Sequence, residues 1–85
     1  MLSNRAYVLI STVPERTRET FSRLQRFQAV KAIDIITGPY DMIVLLEASD
    51  ADEILDLVVN EIRYIDGVKD TVTCFAVRTD DDSLT

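Results

Sequence analysis

A tyrosine and an aspartate stand side by side near the middle of the chain, directly after a Gly-Pro pair, in the tetrapeptide Gly38-Pro39-Tyr40-Asp41. Pro39 fixes its own φ and biases Gly38 toward an extended conformation, which predicts a stiff turn between two strands. A phenol and a carboxylate on such a turn could bind a small polar ligand. The same residue types are also common in turns that bind no ligand, so a purely structural turn is the alternative, and it stays open.

Two threonines further along the chain, Thr71 and Thr73, add hydroxyl groups to this set. They are two residues apart in a predicted strand, so both side chains point to one face. Hydroxyls, a carboxylate and free backbone N–H groups suit a zwitterion such as an amino acid. The candidate ligand-binding residues are therefore Gly38, Tyr40, Asp41, Thr71 and Thr73.

The chain has few residues suited to catalysis, because it contains no histidine. That removes the usual general base near neutral pH, the commonest metal ligand and any Ser-His or Cys-His pair. Cys74 lies within a predicted strand and is expected to be buried and unreactive. Asp50, Asp52 and Asp56 fit the start of a helix better than a cation loop. We therefore predict no enzyme, no metal and no cofactor.

Length and charge predict one small domain that binds neither nucleic acid nor membrane. The formal net charge of −6 over 85 residues opposes binding to a phosphate backbone. No apolar run approaches the roughly 20 residues of a membrane span. A single cysteine excludes an internal disulfide and fits a reducing compartment. We expect a cytoplasmic protein with one domain in residues 1–78 and an acidic tail in residues 79–85.

The elements that must position the candidate residues alternate between strands and helices. Residue composition predicts strands at 5–13, 30–37, 41–48 and 68–77, and apolar spacing predicts helices that follow the first and third strands. Gly67 is expected to end the second helix as a left-handed cap. This order predicts an α+β, ferredoxin-like βαββαβ fold, with a four-stranded antiparallel sheet and both helices on one face.

Both faces of the predicted sheet are apolar. In the third strand Ile43 and Leu45 point to one face of the sheet, and the apolar residues that alternate with them point to the other face. In the second strand Val30 is expected to point to the face opposite that of Ile33. Two helices cover one face only, so the other face needs a second cover. The simplest cover is an identical sheet, which predicts a homodimer. A monomer with an exposed apolar face is the alternative.

Four arginines, Arg16, Arg18, Arg23 and Arg26, lie close together around the first predicted helix. A solvated helix face with ion pairs to neighbouring glutamates is the plainer interpretation. Docking to an acidic partner is the other.

The β-α-β-β-α-β order, the Gly38-Pro39-Tyr40-Asp41 turn and the apolar strand after it resemble the effector-binding domain of the Lrp/AsnC family. Members are leucine- and asparagine-responsive transcriptional regulators. The segment Ile62-Arg63-Tyr64-Ile65-Asp66-Gly67-Val68 is similar to that family's Ile-x-x-Ile-x-Gly-Val, and Thr71-Val72-Thr73 is similar to its following strand. The resemblance spans about Ala6 to Val77.

The resemblance implies a dimeric α/β barrel that assembles further into rings such as octamers. It also implies that a small effector, typically an amino acid, binds between dimers near the turn, with Gly38, Tyr40 and Asp41 in the site. Full-length members carry an N-terminal helix-turn-helix domain, whereas only four residues precede the first strand here. The chain thus resembles a stand-alone form without its own DNA binding, whose partners would be itself, an effector and full-length relatives.

Two other functions stay open at this point. One is a small enzyme of the dimeric α/β-barrel type, such as a monooxygenase or an isomerase. The other is an interaction module that binds no ligand.

Overall fold

The computed structural model describes residues 3–77, which form four strands and two helices. The strands are β1 (Asn4–Thr12), β2 (Val30–Ile35), β3 (Met42–Ala48) and β4 (Val68–Phe75), and the helices are α1 (Thr17–Leu24) and α2 (Ala51–Asn60). Short 3-10 turns at Pro14–Arg16 and Ile62–Tyr64 precede α1 and follow α2. The predicted acidic tail lies outside the described residues.

The sheet has the strand order β2-β3-β1-β4, and all neighbouring strands are antiparallel. Alternate residues of the two central strands are buried against the helices, which confirms the predicted ferredoxin-like α+β fold. The core consists of Ala6, Val8, Ile10, Leu24, Met42, Val44, Leu46, Ile54, Val58, Ile62 and Ile65. Within residues 3–77, no helix has the length and apolar composition needed to cross a membrane.

Strand β2 contains an irregularity that the sequence pattern did not reveal. Val30 pairs with Leu46, but Ala32 already pairs with Leu45, so β2 carries one extra residue at this point. A bulge of this kind shifts the alternation of side chains by one position. The prediction that Val30 faces away from Ile33 was therefore wrong, because both side chains pack against the core.

Helix α2 begins where the sequence predicts but ends earlier than predicted. α2 begins as predicted, because the Asp50 carboxylate accepts a hydrogen bond of 2.9 Å from the Asp52 N–H. It ends at Asn60, so Gly67 does not cap it. Instead Gly67, with φ of 109°, turns the chain into β4, and its carbonyl accepts a hydrogen bond of 2.8 Å from the Val13 N–H.

The sheet face opposite the helices is apolar at its centre, as predicted. Tyr7, Leu9, Ile43, Leu45 and Val72 lie on this side and are half-buried or exposed in a single chain. We call this surface, defined by these five residues, the open face. Cys74 also lies on it, opposite Tyr7. It is exposed, so the expectation of a buried cysteine was wrong for the single chain, because no helix covers this side of β4.

Two of the clustered arginines form ion pairs. Arg16 Nη1 lies 2.6 Å from Asp66 Oδ2 and 3.7 Å from Glu19 Oε1, and Arg23 Nε lies 3.7 Å from Glu19 Oε2. This supports the interpretation of a solvated helix face with local ion pairs. Such exposed pairs contribute little to stability.

Candidate functional site

The turn between β2 and β3 carries the first group of candidate residues. The Ile36 N–H donates to the Asp41 carbonyl at 2.9 Å, and this bond closes the loop at its base. Gly38 and Pro39 are exposed at the tip, whereas Tyr40 is half-buried. Gly38 has φ of 150°, a conformation that residues with a side chain rarely adopt, which explains a glycine at this position. A turn between β2 and β3 is thus present, as predicted.

The Asp41 carboxylate is held by the end of β1. Its Oδ2 accepts a hydrogen bond of 2.7 Å from the Thr12 N–H and one of 3.3 Å from Thr12 Oγ1. The Asp41 N–H in turn donates to the Ile10 carbonyl at 2.9 Å. Asp41 therefore anchors the turn to the central strand of the sheet, and the alternative of a structural turn residue accounts for this side chain in part.

A small hydroxyl network supports that anchor. Thr12 is buried, and its Oγ1 lies 2.7 Å from Thr17 Oγ1 at the start of α1. The network fixes the Oδ2 atom of Asp41, while Oδ1 accepts no hydrogen bond from residues 3–77. The carboxylate is thus oriented by the fold and keeps one oxygen for another donor.

Thr71 and Thr73 lie elsewhere, on the edge strand β4. Thr71 pairs with Ile10 and Thr73 pairs with Val8, so both threonines face the helix layer as those core residues do. They line a cleft of about 440 Å³ between α2 and β4, together with Arg63 and Lys69. The prediction that the two hydroxyls share a face agrees with this register.

The structure does not bring the five candidate residues into one pocket within a single chain. Ile10 pairs with Met42 on one side and with Thr71 on the other, so the turn and the threonines are separated by β1. Two strand spacings amount to roughly 10 Å. The cleft at Thr71 and Thr73 does not include Gly38, Tyr40 or Asp41. A common site would have to combine groups from two subunits, and it stays a prediction.

Sequence reasoning missed three residues at these two places. Thr12 holds the Asp41 carboxylate, and Arg63 and Lys69 line the cleft with the threonines. Thr12 could have been found, because it lies near the end of the predicted first strand and carries a hydroxyl group. Lys69 could also have been found, because it lies two residues before Thr71 and alternation along the strand places it on the same face. No group of three or more residues suited to a metal ion occurs in the part of the chain that the structure describes.

The sequence of this chain matches a known protein family over almost its whole length. The model of the Lrp/AsnC ligand binding domain matches residues 5–84, nearly the entire chain. The chain belongs to the Lrp/AsnC ligand-binding domain family. This agrees with the resemblance of the Gly-x-Tyr-Asp turn and of the Gly67-Val68 segment.

Relatives of this Lrp/AsnC domain include transcriptional regulators about twice its length. An uncharacterized HTH-type transcriptional regulator of Pyrococcus horikoshii is 32% identical over 75 residues, which are 85% of this chain and 50% of the relative. The chain thus spans about half the length of the curated relatives it matches.

Solved structures share the fold of the Lrp/AsnC domain over most of the chain. A protein from Thermus thermophilus superposes with a TM-score of 0.84 at 30% identity, over 89% of this chain and 95% of that one. The complex of a Neisseria meningitidis transcriptional regulator with L-Met superposes with a TM-score of 0.80 at 19% identity, over 92% of this chain and 52% of that one. At that identity the second similarity concerns the fold alone.

Proposed function

We propose that this Lrp/AsnC domain is a homo-oligomeric regulatory module that binds an α-amino acid and takes part in the control of transcription. The observation that carries the proposal is the match to the ligand-binding domain over residues 5–84. The HTH-type relatives support the regulatory role, and the L-Met complex of the Neisseria protein motivates the choice of an amino acid as ligand. A DNA-binding polypeptide related to those regulators is the partner we propose for this chain.

The open face supports self-association. Its five apolar residues lie together in the centre of the sheet, on the side that the helices leave uncovered. Contiguous exposed apolar surface favours association, and a two-fold axis lets one surface cover an identical one. Arg5 Nε lies 3.3 Å from Glu47 Oε2 on this face, so the two charges compensate each other within one chain. We therefore propose a dimer through the open faces, and a ring of such dimers.

The turn supports the amino-acid site. Thr12 fixes one oxygen of the Asp41 carboxylate, Oδ2, so the fold orients this negatively charged group. The other oxygen, Oδ1, remains available to a ligand. A charge that is oriented in advance binds an ammonium group with little loss of side-chain entropy. We propose that Asp41 takes the ligand ammonium, that Tyr40 and the backbone at Gly38 lie beside it, and that a neighbouring subunit completes the site.

Thermal unfolding with a panel of the common amino acids tests this proposal. A ligand at ten times its Kd should raise the free energy of unfolding by about 1.4 kcal/mol, and the Tm of a domain this small by roughly 6–11 °C. Asp41→Asn should remove most of that shift because it removes the charge but keeps a hydrogen-bond acceptor for Thr12. Absence of a shift with every amino acid at millimolar concentration would contradict the proposal.

A further inference from the structure

The cleft between α2 and β4 is lined by two basic residues. Arg63 and Lys69 are two of only nine basic residues in a chain with a net charge of −6. Both line this cleft. Neither forms an ion pair with any carboxylate in residues 3–77, as is also true of Arg18, Arg26 and Lys31. Two cations without an internal partner therefore stand beside one concave surface.

Acidic groups neutralise this charge only in part. Asp70 also lines the cleft, and its Oδ1 accepts a hydrogen bond of 3.0 Å from the Thr71 N–H. The three charged residues of the cleft leave a formal balance of one positive charge. That balance favours a ligand with one negative charge.

The fold explains why these side chains converge. Ser11 pairs with Asp70 and Thr12 pairs with Val68, so Lys69 is the extra residue of a β-bulge in β4. Lys69 lies two residues before Thr71, so its side chain shares the face of Thr71 and Thr73 and lines the cleft. Arg63 lies in the 3-10 turn that follows α2. The segment after this turn is held at the start of β4 by a hydrogen bond of 3.0 Å from the Val68 N–H to the Ile65 carbonyl.

Hydroxyl and apolar groups complete the lining. Thr71 and Thr73 place two hydroxyls on the floor of the cleft, and neither side chain forms a hydrogen bond with residues 3–77. Leu55 and Val59 lie four residues apart on α2, so they are neighbours on one helix face, and both are exposed. The cleft thus offers cations and hydroxyls at one wall and branched apolar side chains at the other.

We propose that this cleft binds a small monocarboxylate with a short apolar group. Arg63 and Lys69 hold the carboxylate, Thr71 and Thr73 donate hydrogen bonds to it, and the apolar group packs on Leu55 and Val59. The site lies within one chain, on the helix side of the sheet. It therefore stays accessible when the open face is covered, and it does not depend on the amino-acid site proposed at the turn.

Methyl NMR on the whole chain tests the proposal, with isovalerate as the probe and isovaleramide as its uncharged counterpart. Isovalerate should shift the methyl signals of Leu55, Val59, Thr71 and Thr73 in a saturable manner. Isovaleramide should bind at least about tenfold more weakly, because it lacks the charge that the two cations recognise. L-Leucine in the same titration reports whether Asp70 accepts an ammonium group as well.

Three charge-removing variants make the test specific. Arg63→Gln and Lys69→Gln should each weaken isovalerate binding by about tenfold. Arg18→Gln is the control, since Arg18 is an exposed arginine on α1 that does not line this cleft. All three substitutions are at exposed positions, and unchanged methyl spectra without ligand show that the fold is intact.

Several results would overturn the proposal. Equal binding of isovalerate and isovaleramide would show that charge is not recognised, and equal weakening by Arg18→Gln would show unspecific attraction. Shifts confined to the methyl groups of Ile36 and Met42, which flank the turn, would place the ligand at Asp41 instead. That result would support the proposed amino-acid site and reject this one. The absence of any shift at about 20 mM isovalerate would also reject the proposed cleft site.

Discussion

Asp41 Oδ2 accepts a hydrogen bond of 2.7 Å from the backbone N–H of Thr12, a residue 29 positions earlier in the chain. The bond ties the turn between β2 and β3 to the end of the central strand β1. The aspartate that we propose for ligand binding is thus also part of the framework that holds the turn. A variant that removes the whole side chain would change stability and binding together, so the two roles need separate substitutions.

Asp41→Ala should lower the free energy of unfolding by about 1–3 kcal/mol, because the N–H of buried Thr12 would lose its acceptor. Asp41→Asn should cost less than about 1 kcal/mol, since an amide oxygen can still accept that bond. Urea unfolding at a fixed protein concentration measures both. Equal destabilisation by the two variants would show that the charge, rather than the hydrogen bond, holds the turn.

Gly67→Ala should destabilise the domain by at least about 2 kcal/mol. Gly67 has φ of 109°, and a Cβ at this position would lie 2.7 Å from Thr20 Oγ1 and 2.9 Å from Arg16 Cβ. Gly38→Ala is the matched control, because its φ of 150° is also unfavourable but nothing lies within 4 Å of the added carbon. We expect it to cost about 1 kcal/mol. Chemical unfolding of both variants should give this order, and the reverse order would refute the steric argument.

Val72→Glu should weaken self-association by at least about tenfold, because a carboxylate would have to be buried between two open faces. Val59→Glu provides a control with the same chemical change. Val72 is 37% exposed on the open face, and Val59 is 44% exposed on α2, on the other side of the sheet. Sedimentation at low micromolar concentration should show a reduced mass for the first variant only. A monomeric unsubstituted chain would reject the dimer.

Asp50→Ala should lower the free energy of unfolding by about 1 kcal/mol, because the Asp52 N–H would lose the acceptor that starts α2. Asp50→Ser should cost only a few tenths of a kcal/mol, since a serine hydroxyl can cap the helix equally well. Thermal or urea unfolding distinguishes the two. A large loss in both variants would assign Asp50 a role beyond capping.

Local signals in the sequence predicted most of the architecture. Alternating apolar residues such as Val8, Ile10 and Val44 indicated strands, and Asp50 indicated the start of α2. These signals are reliable where they depend on neighbours along the chain. They are weaker at Val30, where a single extra residue in β2 reversed the predicted face. A bulge depends on the partner strand, so the sequence of one strand does not reveal it.

The candidate site was predicted less completely than the fold. Residue chemistry grouped Asp41 with Thr71 and Thr73, and the family resemblance implied that Asp41 lies in the site. In the structure, strand β1 lies between Asp41 and the two threonines. The structure also shows that the Asp41 carboxylate accepts a hydrogen bond from Thr12. It also places Arg63 and Lys69 beside the threonines. Distances between residues far apart in sequence follow from strand order and register, which local patterns do not contain.

The sequence by itself thus determined the order of strands and helices, the family and the two apolar faces of the sheet, because these depend on residue type and spacing along the chain. Only the tertiary structure decided which groups meet. The strand order β2-β3-β1-β4 places β1 between the turn and β4, and the bulge at Lys69 lets Val68 pair with Thr12 and pack against the core. Both are consequences of pairing between distant segments, where the packing of the whole domain selects the register.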